Sequence, residues 1–404
     1  MEIVPLKKVL MEKPLYYKEI DPTRMEKTYQ LIKEELTLPP LIRIVGTNGK
    51  GTTGRFLALL FRQKGLKVGH YTSPHLFQFN ERFWLDGRIA TNHQLERANR
   101  QLQTLLPETV WKRLSYFEYA TFLAVILFQS MDVGIMESGL GGELDATAVF
   151  DYRATLFTPI HLDHQAFLGE RIEQIIETKL KGSKGIKIFG RQPFQKKVIE
   201  VLNRFQLSQL EGNWDNWLDY TTLFSKEEIY QLQRKFPYPD FLFSNYLLAL
   251  AYFRWKFQTL PKSVPKLDLP GRCQQILPNI WLDVGHNPLS AMTISHFFRQ
   301  KGQKVDLIYL TYRDKNYRLI GQILKPIVRR VTVLELPENP RVASAEQVAL
   351  TFSRLGMEAI SPAQITPPLL LYGSFLVGEG ILKNRIHFSH LPALIERLKE
   401  MGGE

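Results

Sequence analysis

Short apolar runs alternate along the chain with longer segments whose apolar positions recur every three or four residues. Runs at 41–45, 66–71, 132–136 and 154–158 read as buried strands. Between the first two, residues 52–64 carry Phe56, Leu57, Leu59, Leu60 and Phe61 at helical spacing, with Gly65 as a stop. Residues 117–128 predict a mostly buried helix. Residues 170–181 predict another, with Ile172, Ile175, Ile176 and Leu180 on one face. The stretch PKSVPKLDLPG at 261–271 punctuates the pattern with prolines and a glycine. Beyond it a second series begins, with strands at 280–284, 305–310, 331–334 and 369–372 and helices between, such as 345–355. This alternation predicts parallel α/β sheets. It divides the chain into a domain over 1–266, a linker over 267–272 and a domain over 273–404. Residues 214–235, aromatic and charged, fit neither pattern.

Composition adds little that is specific and excludes several classes. The 404 residues are 44% hydrophobic and 23% charged, an ordinary globular balance for two or three domains. One cysteine, Cys273, excludes a disulfide framework and a cysteine metal cluster, and fits a cytoplasmic location. The N-terminal stretch has no signal-peptide pattern. The longest apolar run, 122–128, is far short of the ~20 residues of a membrane span. A net charge of +12 favours anionic ligands, among them nucleotides and polycarboxylates, without choosing one.

The strongest local signal is GTNGKGTT at 46–53, between a strand and a helix. Its glycines admit phosphates close to backbone N–H groups, and the helix N-terminus favours their charge. Gly46, Thr47, Asn48, Gly49 and Gly51 form the cradle. Lys50 is placed to reach the outer phosphates, and Thr52 or Thr53 to offer a hydroxyl to Mg²⁺. The spacing departs from GxxxxGK[ST], since only two residues separate Gly46 from Gly49 and Gly51 follows the lysine.

That loop resembles the variant phosphate loop of the Mur ligase superfamily, and further motifs resemble its folylpolyglutamate synthase and dihydrofolate synthase branch. They are TSPHL at 72–76, FNER at 79–82, the aromatic-aromatic-glutamate step at 116–118, ESGLGGELDAT at 137–147 and HLDHQAFLG at 161–169. PGR at 270–272, LDVGHNP at 282–288, DKN at 314–316, NPR at 339–341 and GSFLVGE at 373–379 follow in family order. The resemblance implies an α/β fold: a P-loop ATPase domain of Mur ligase type with a parallel central sheet, plus a smaller Rossmann-like C-terminal domain.

It also implies roles. Lys50 would grip the phosphates, and Glu137, at a strand's C-terminal end, would hold Mg²⁺ as a hard oxygen ligand. Thr52, Ser73 and His164 would complete the metal positions, with His161 a competing histidine. Lys179 matches a family lysine that CO₂ converts to an anionic carbamate, and Lys181 is its rival. Asn245, Arg272, Asp283 and His286 match nucleotide contacts; Ser73, Pro74, His75 and Phe117 match substrate contacts. Glu143 departs from the family, which has arginine there.

The implied enzyme is an ATP-dependent carboxylate–amine ligase using Mg²⁺. Its substrates would be ATP, L-glutamate and dihydropteroate or a reduced folate. It would act as a monomer without nucleic acid or membrane. A UDP-muramyl amino-acid ligase of the same superfamily is one alternative, although residues 1–45 leave little room for its extra N-terminal domain. A basic P-loop NTPase that binds nucleic acid is another; no stacking platform or nucleic-acid module supports it.

Overall fold

The computed structural model describes residues 3–14, 21, 23–163, 165–207 and 217–403. The chain forms two compact units. One combines Met1–Ser73 with Asn80–Asp268; the other combines Pro74–Phe79 with Leu269–Glu404.

The first unit is built on an eight-stranded sheet. Its strands are β1 (Leu41–Val45), β2 (Val68–Tyr71), β3 (Phe83–Leu85), β4 (Arg88–Ile89), β5 (Val133–Glu137), β6 (Ala154–Phe157), β7 (Ile186–Phe189) and β8 (Trp217–Asp219), in the order β4-β3-β2-β5-β1-β6-β7-β8. From β2 to β8 every pairing is parallel; β3 and β4 add an antiparallel edge. The central strands are covered on both faces, which is why β1 and β5 read as continuous apolar runs. One cover is the helix Lys50–Arg62, whose Phe56 meets Tyr246 of the helix Asp240–Phe257 edge-on at 5.4 Å. Another is the helix Tyr116–Phe128, capped by Ser115 and Glu118 in a reciprocal box.

The strands and helices read from the sequence do not include the hairpin β3–β4 or the helix Asn92–Leu105, although Thr91 and Gln94 form a capping box at that helix's start and Leu95, Ala98 and Leu102 bury one face. Nor do they include β7 and β8, four and three residues long. Within 214–235, residues 217–235 are described. They hold β8 and a helix over Lys226–Arg234, capped by Ser225.

The second unit has a six-stranded sheet: β9 (Gln274–Leu277), β10 (Ile280–Asp283), β11 (Val305–Tyr309), β12 (Val328–Val333), β13 (Glu358–Ala359) and β14 (Leu369–Tyr372), ordered β13-β12-β11-β14-β10-β9. Only β9 is antiparallel. Its apolar core includes Leu76, buried beside Leu282, Leu310 and Leu371, so residues 74–79 supply this unit with a core side chain. β12 begins three residues before the sequence pattern suggests. Arg329 and Arg330 interrupt its apolar run, and both pair with Asp306, a fully buried carboxylate of β11. Among the described residues no helix is long and apolar enough to cross a membrane.

Candidate active site

Adjacent parallel strands end on the same edge of a sheet, and the loops leaving that edge line the ligand crevice of an α/β fold. In the first unit, β2, β5, β1 and β6 are neighbours, and each is followed by residues singled out in the sequence or packed against them.

After β1 comes the glycine loop. Gly46 has φ +150°, and a Cβ there would lie 2.0 Å from Thr158 Oγ1, just beyond β6. Gly49 adopts a left-handed conformation, φ 84°, as the N-cap of the helix Lys50–Arg62; a Cβ there would lie 2.2 Å from Asn245 Oδ1. The N–H groups of Thr47 and Asn48 donate to the Pro159 carbonyl at 2.9 and 3.4 Å. The first half of the loop is therefore fastened to the protein. The donors left facing outward are those of the helix's first turn, which have no intrahelical partner. Lys50 Nζ donates to the carbonyls of Gly46 and Thr47 at 3.3 and 3.2 Å, so its ammonium sits over the loop. Thr53 Oγ1 donates to Asn245 Oδ1 at 3.4 Å. Thr52 differs: its hydroxyl is buried, with no hydrogen-bond partner among the described residues. The two threonines, equivalent in sequence, are separated by this contrast.

Glu137 ends β5 and is 5% exposed. Its Oε2 accepts from the Thr72 hydroxyl and, at 3.1 Å, from the Ser73 N–H, both just beyond β2; neither contact uses Oε1. Thr72 therefore orients Glu137, a role that sequence reading did not assign. Among the described residues no three His, Cys, Asp or Glu side chains gather into a metal cage. Mg²⁺ suits such a site, because it keeps several waters and takes one or two protein oxygens plus substrate phosphate. A buried orphan hydroxyl on Thr52 and a braced carboxylate on Glu137 are hard oxygen donors of the kind it takes. His164 lies outside the described residues.

Lys179 is 2% exposed and donates to Leu140 O at 2.6 Å and to Gly46 O at 3.2 Å. Burial, helped by the positive charge of Lys50, pulls its pKa down to about 7. Lys181 instead pairs with Glu177 at 3.2 Å on the solvated face of the same helix, Ile172–Lys181. The loop from Gly139 to Thr147 is held by a network on Asp145. That carboxylate accepts from Gly141 N at 2.9 Å, Thr147 N at 3.0 Å and Thr147 Oγ1 at 2.6 Å, and pairs with Arg43 at 3.5 Å. Arg43, fully buried in the middle of β1, also donates to the carbonyls of Gly142 and Gly182. A charged residue inside an otherwise apolar strand was the signal that could have revealed it. Glu143, at the tip of this loop, is exposed and takes no part in the network. Phe117 packs against Gly139 from the start of its helix, where a Cβ would come within 2.9 Å of the ring.

The remaining candidates stand in the second unit. Asp283, at the end of β10, is buried and accepts from Cys273 N and Gly285 N, each at 2.8 Å. Burial outweighs these bonds and raises its pKa to about 6. His286 Nδ1 lies 3.1 Å from Val284 O. Arg272 stands 5.3 Å over the Phe375 ring, and the His286 ring lies 6.2 Å from that same ring. Asn287 caps the following helix, Pro288–Gln300. Pro74 and His75 belong to this unit, and the His75 ring lies 6.3 Å from Phe79. The structure thus gathers Gly46–Thr53, Ser73, Phe117, Glu137, Lys179 and Asn245 in one unit. It places Pro74, His75, Arg272, Asp283 and His286 in the other.

No protein-family profile matches the chain. It is similar to the dihydrofolate synthase/folylpolyglutamate synthase of Haemophilus influenzae, at 30% identity over 330 residues, spanning 72% of this chain and 73% of the relative. Helicobacter pylori folylpolyglutamate synthetase is similar in structure, with a TM-score of 0.74 and 34% identity over 95% of this chain and 98% of that one. A bifunctional folylpolyglutamate synthase/dihydrofolate synthase solved with Mn, AMPPNP and L-glutamate shares the fold. Its TM-score is 0.78 at 24% identity, over 95% and 98% of the two chains. With its sequence and its fold agreeing over most of their length, the chain belongs to the dihydrofolate synthase/folylpolyglutamate synthase family of ATP-dependent ligases.

Proposed function

We propose that this chain joins L-glutamate to dihydropteroate, to a reduced folate, or to both, and that the site at the β1–β2–β5–β6 edge performs the phosphoryl transfer. The observation that carries the reading is the combination of Lys50, poised over the glycine loop, with the buried hydroxyl of Thr52 in the first turn of the same helix, unpartnered among the described residues.

In this reading the pteridine substrate's carboxylate oxygen attacks the γ-phosphorus, ADP leaves, and an acyl phosphate forms. The glutamate α-amine then attacks the acyl carbon; phosphate leaves and the amine's proton is lost. The first step brings two negative groups together, and the second builds negative charge on the acyl oxygen, so charge neutralisation is the main task. Lys50 would exchange its loop carbonyls for the outer phosphates. The first-turn N–H groups would hold the remaining oxygens. Thr52, Glu137, Ser73 and His164 would hold Mg²⁺, which when bound polarises the γ-phosphate. Lys179, as its carbamate, would add an anionic oxygen beside the loop. Asn245 would fix the loop at Gly49, and Arg272, Asp283 and His286 would contact the nucleotide from the second unit. Phe117, Ser73, Pro74 and His75 would contact the pteridine substrate. A cytoplasmic location belongs to this reading, and Cys273, buried and free, suits it.

Product mass spectrometry after incubation with ATP, Mg²⁺, glutamate and either dihydropteroate or tetrahydrofolate tests the assignment. A glutamyl adduct of one or both is expected. ATP consumption without an adduct from either acceptor would overturn it.

A further inference from the structure

The chain passes between the units at Ser73–Pro74, Phe79–Asn80 and Asp268–Leu269, and the stretch that leads to the last of these does not hang free. Gln63 donates to Ser263 O at 3.1 Å, and the Tyr238 hydroxyl bridges Pro265 O at 3.2 Å and Leu267 N at 2.6 Å. Asp268 is held most firmly. Arg55 Nη1 donates to its carbonyl at 3.1 Å and to its Oδ1 at 2.9 Å, while Trp84 Nε1 donates to its Oδ2 at 2.9 Å. The Arg55 guanidinium also lies over the Trp84 ring at 4.7 Å, and its Nε donates to Nδ1 of the fully buried His70 at 3.2 Å. Arg55 is 3% exposed, so this charge is out of water, and it pairs with the Asp268 carboxylate at 2.9 Å.

On the other side, Gly271 is fastened within the second unit. Its N–H donates to Gln274 Oε1 at 3.2 Å, and its carbonyl accepts from Val284 N at 3.1 Å. Between the two anchors stand only Leu269 and Pro270. Proline fixes its own φ and restricts the residue before it, so this short link has few free torsions.

We infer that Asp268 is a positioning residue for ligation. It clamps the last of the three connections between the units to the helix that carries the phosphate loop and confines the free torsions of that connection to Leu269–Pro270. The clamp acts through Arg55 and Trp84, touching no substrate. Arg55 stands five positions after Lys50 on one helix, so this connection is referenced to the phosphate loop itself. A loosened clamp would let the acyl phosphate meet water before glutamate. The link to ligation rests on the function proposed above; the clamp does not.

Trypsin separates the two. Lys266 is exposed and lies inside the clamped stretch, where local opening governs cleavage. In the full chain, Asp268→Ala should raise the rate of cleavage after Lys266 by about fivefold. Asp268→Glu should restore the wild-type rate, since it keeps the carboxylate. Equal rates in Asp268→Ala and wild type would overturn the clamp, whatever the activity. In the ligase assay, Asp268→Ala should raise the ratio of ATP hydrolysed to amide formed with the KM for ATP unchanged, and Asp268→Glu should rescue it. Faster cleavage with an unchanged ratio would overturn the positioning role and leave a structural one. A wild-type chain that forms no amide would count against the proposed function, and the cleavage rates would still decide the clamp.

Discussion

The ammonium of Lys179 and the carbonyl of Gly46 meet at 3.2 Å, which ties the helix Ile172–Lys181 directly to the start of the phosphate loop. Burial, helped by the positive charge of Lys50, disfavours a charged amine in that position. Its pKa falls from 10.5 to about 7 in consequence.

The sign of this shift gives a pH prediction. The folded value lies below the unfolded one, so the unfolded chain binds the extra proton between about 7 and 10.5, and stability from this group rises with pH across that window. Below pH 7 the penalty for burying the ammonium is full. Carbamate formation needs the neutral amine, so ¹³C-bicarbonate should yield a protein carbamate resonance near pH 8 that fades as pH falls below 7. Lys179→Arg should abolish the resonance and Lys181→Arg should keep it. The reverse pattern would transfer the role to Lys181.

Thr52 carries a buried hydroxyl with nothing to bond among the described residues. Such a group destabilises a fold by about 1–3 kcal/mol, so Thr52→Val should leave thermal stability equal or higher. If the hydroxyl serves a cation, the Mg²⁺ concentration for half-maximal activity should rise by about tenfold. A magnesium titration and a melting curve on one preparation check both parts. Lower stability with unchanged magnesium dependence would refute the assignment.

Among the described residues Lys50 holds only the carbonyls of its own loop, so Lys50→Ala should leave the melting temperature unchanged. Ligation should fall by about a thousandfold, the scale of losing one preorganised charge stabiliser. Wild-type turnover in this variant would remove the phosphate-loop assignment.

Gly49→Ala should cost about 1–2 kcal/mol from the left-handed backbone alone, and the new methyl would displace Asn245. Urea unfolding of the single variants and of Gly49→Ala/Asn245→Ala tests the contact. The double variant should recover part of the loss, because shortening Asn245 makes room for the methyl. Strict additivity would show that the two residues do not compete for space.

Some of this was legible from local pattern. A strand, a glycine loop with lysine and threonines, and a helix are specified by residues close in sequence, and 41–62 shows them in that order. Glu137 was legible as the end of a buried run. Long-range partners were not. Arg43 breaks the apolar run of β1, yet its meaning lies with Asp145 and with the carbonyls of Gly142 and Gly182. The start of β12 was obscured by Arg329 and Arg330, whose charges are balanced by Asp306 on the neighbouring strand.

The chain by itself determined which segments are strands and helices near the site, and which residue types stand at their ends, because periodicity and glycine placement act over a few residues. Only the tertiary structure decided between chemically equal neighbours. Thr52 is orphaned while Thr53 reaches Asn245; Lys179 is buried against Gly46 while Lys181 is solvated beside Glu177. Those differences come from burial and from partners distant in sequence, and no local pattern encodes what packs against a given face.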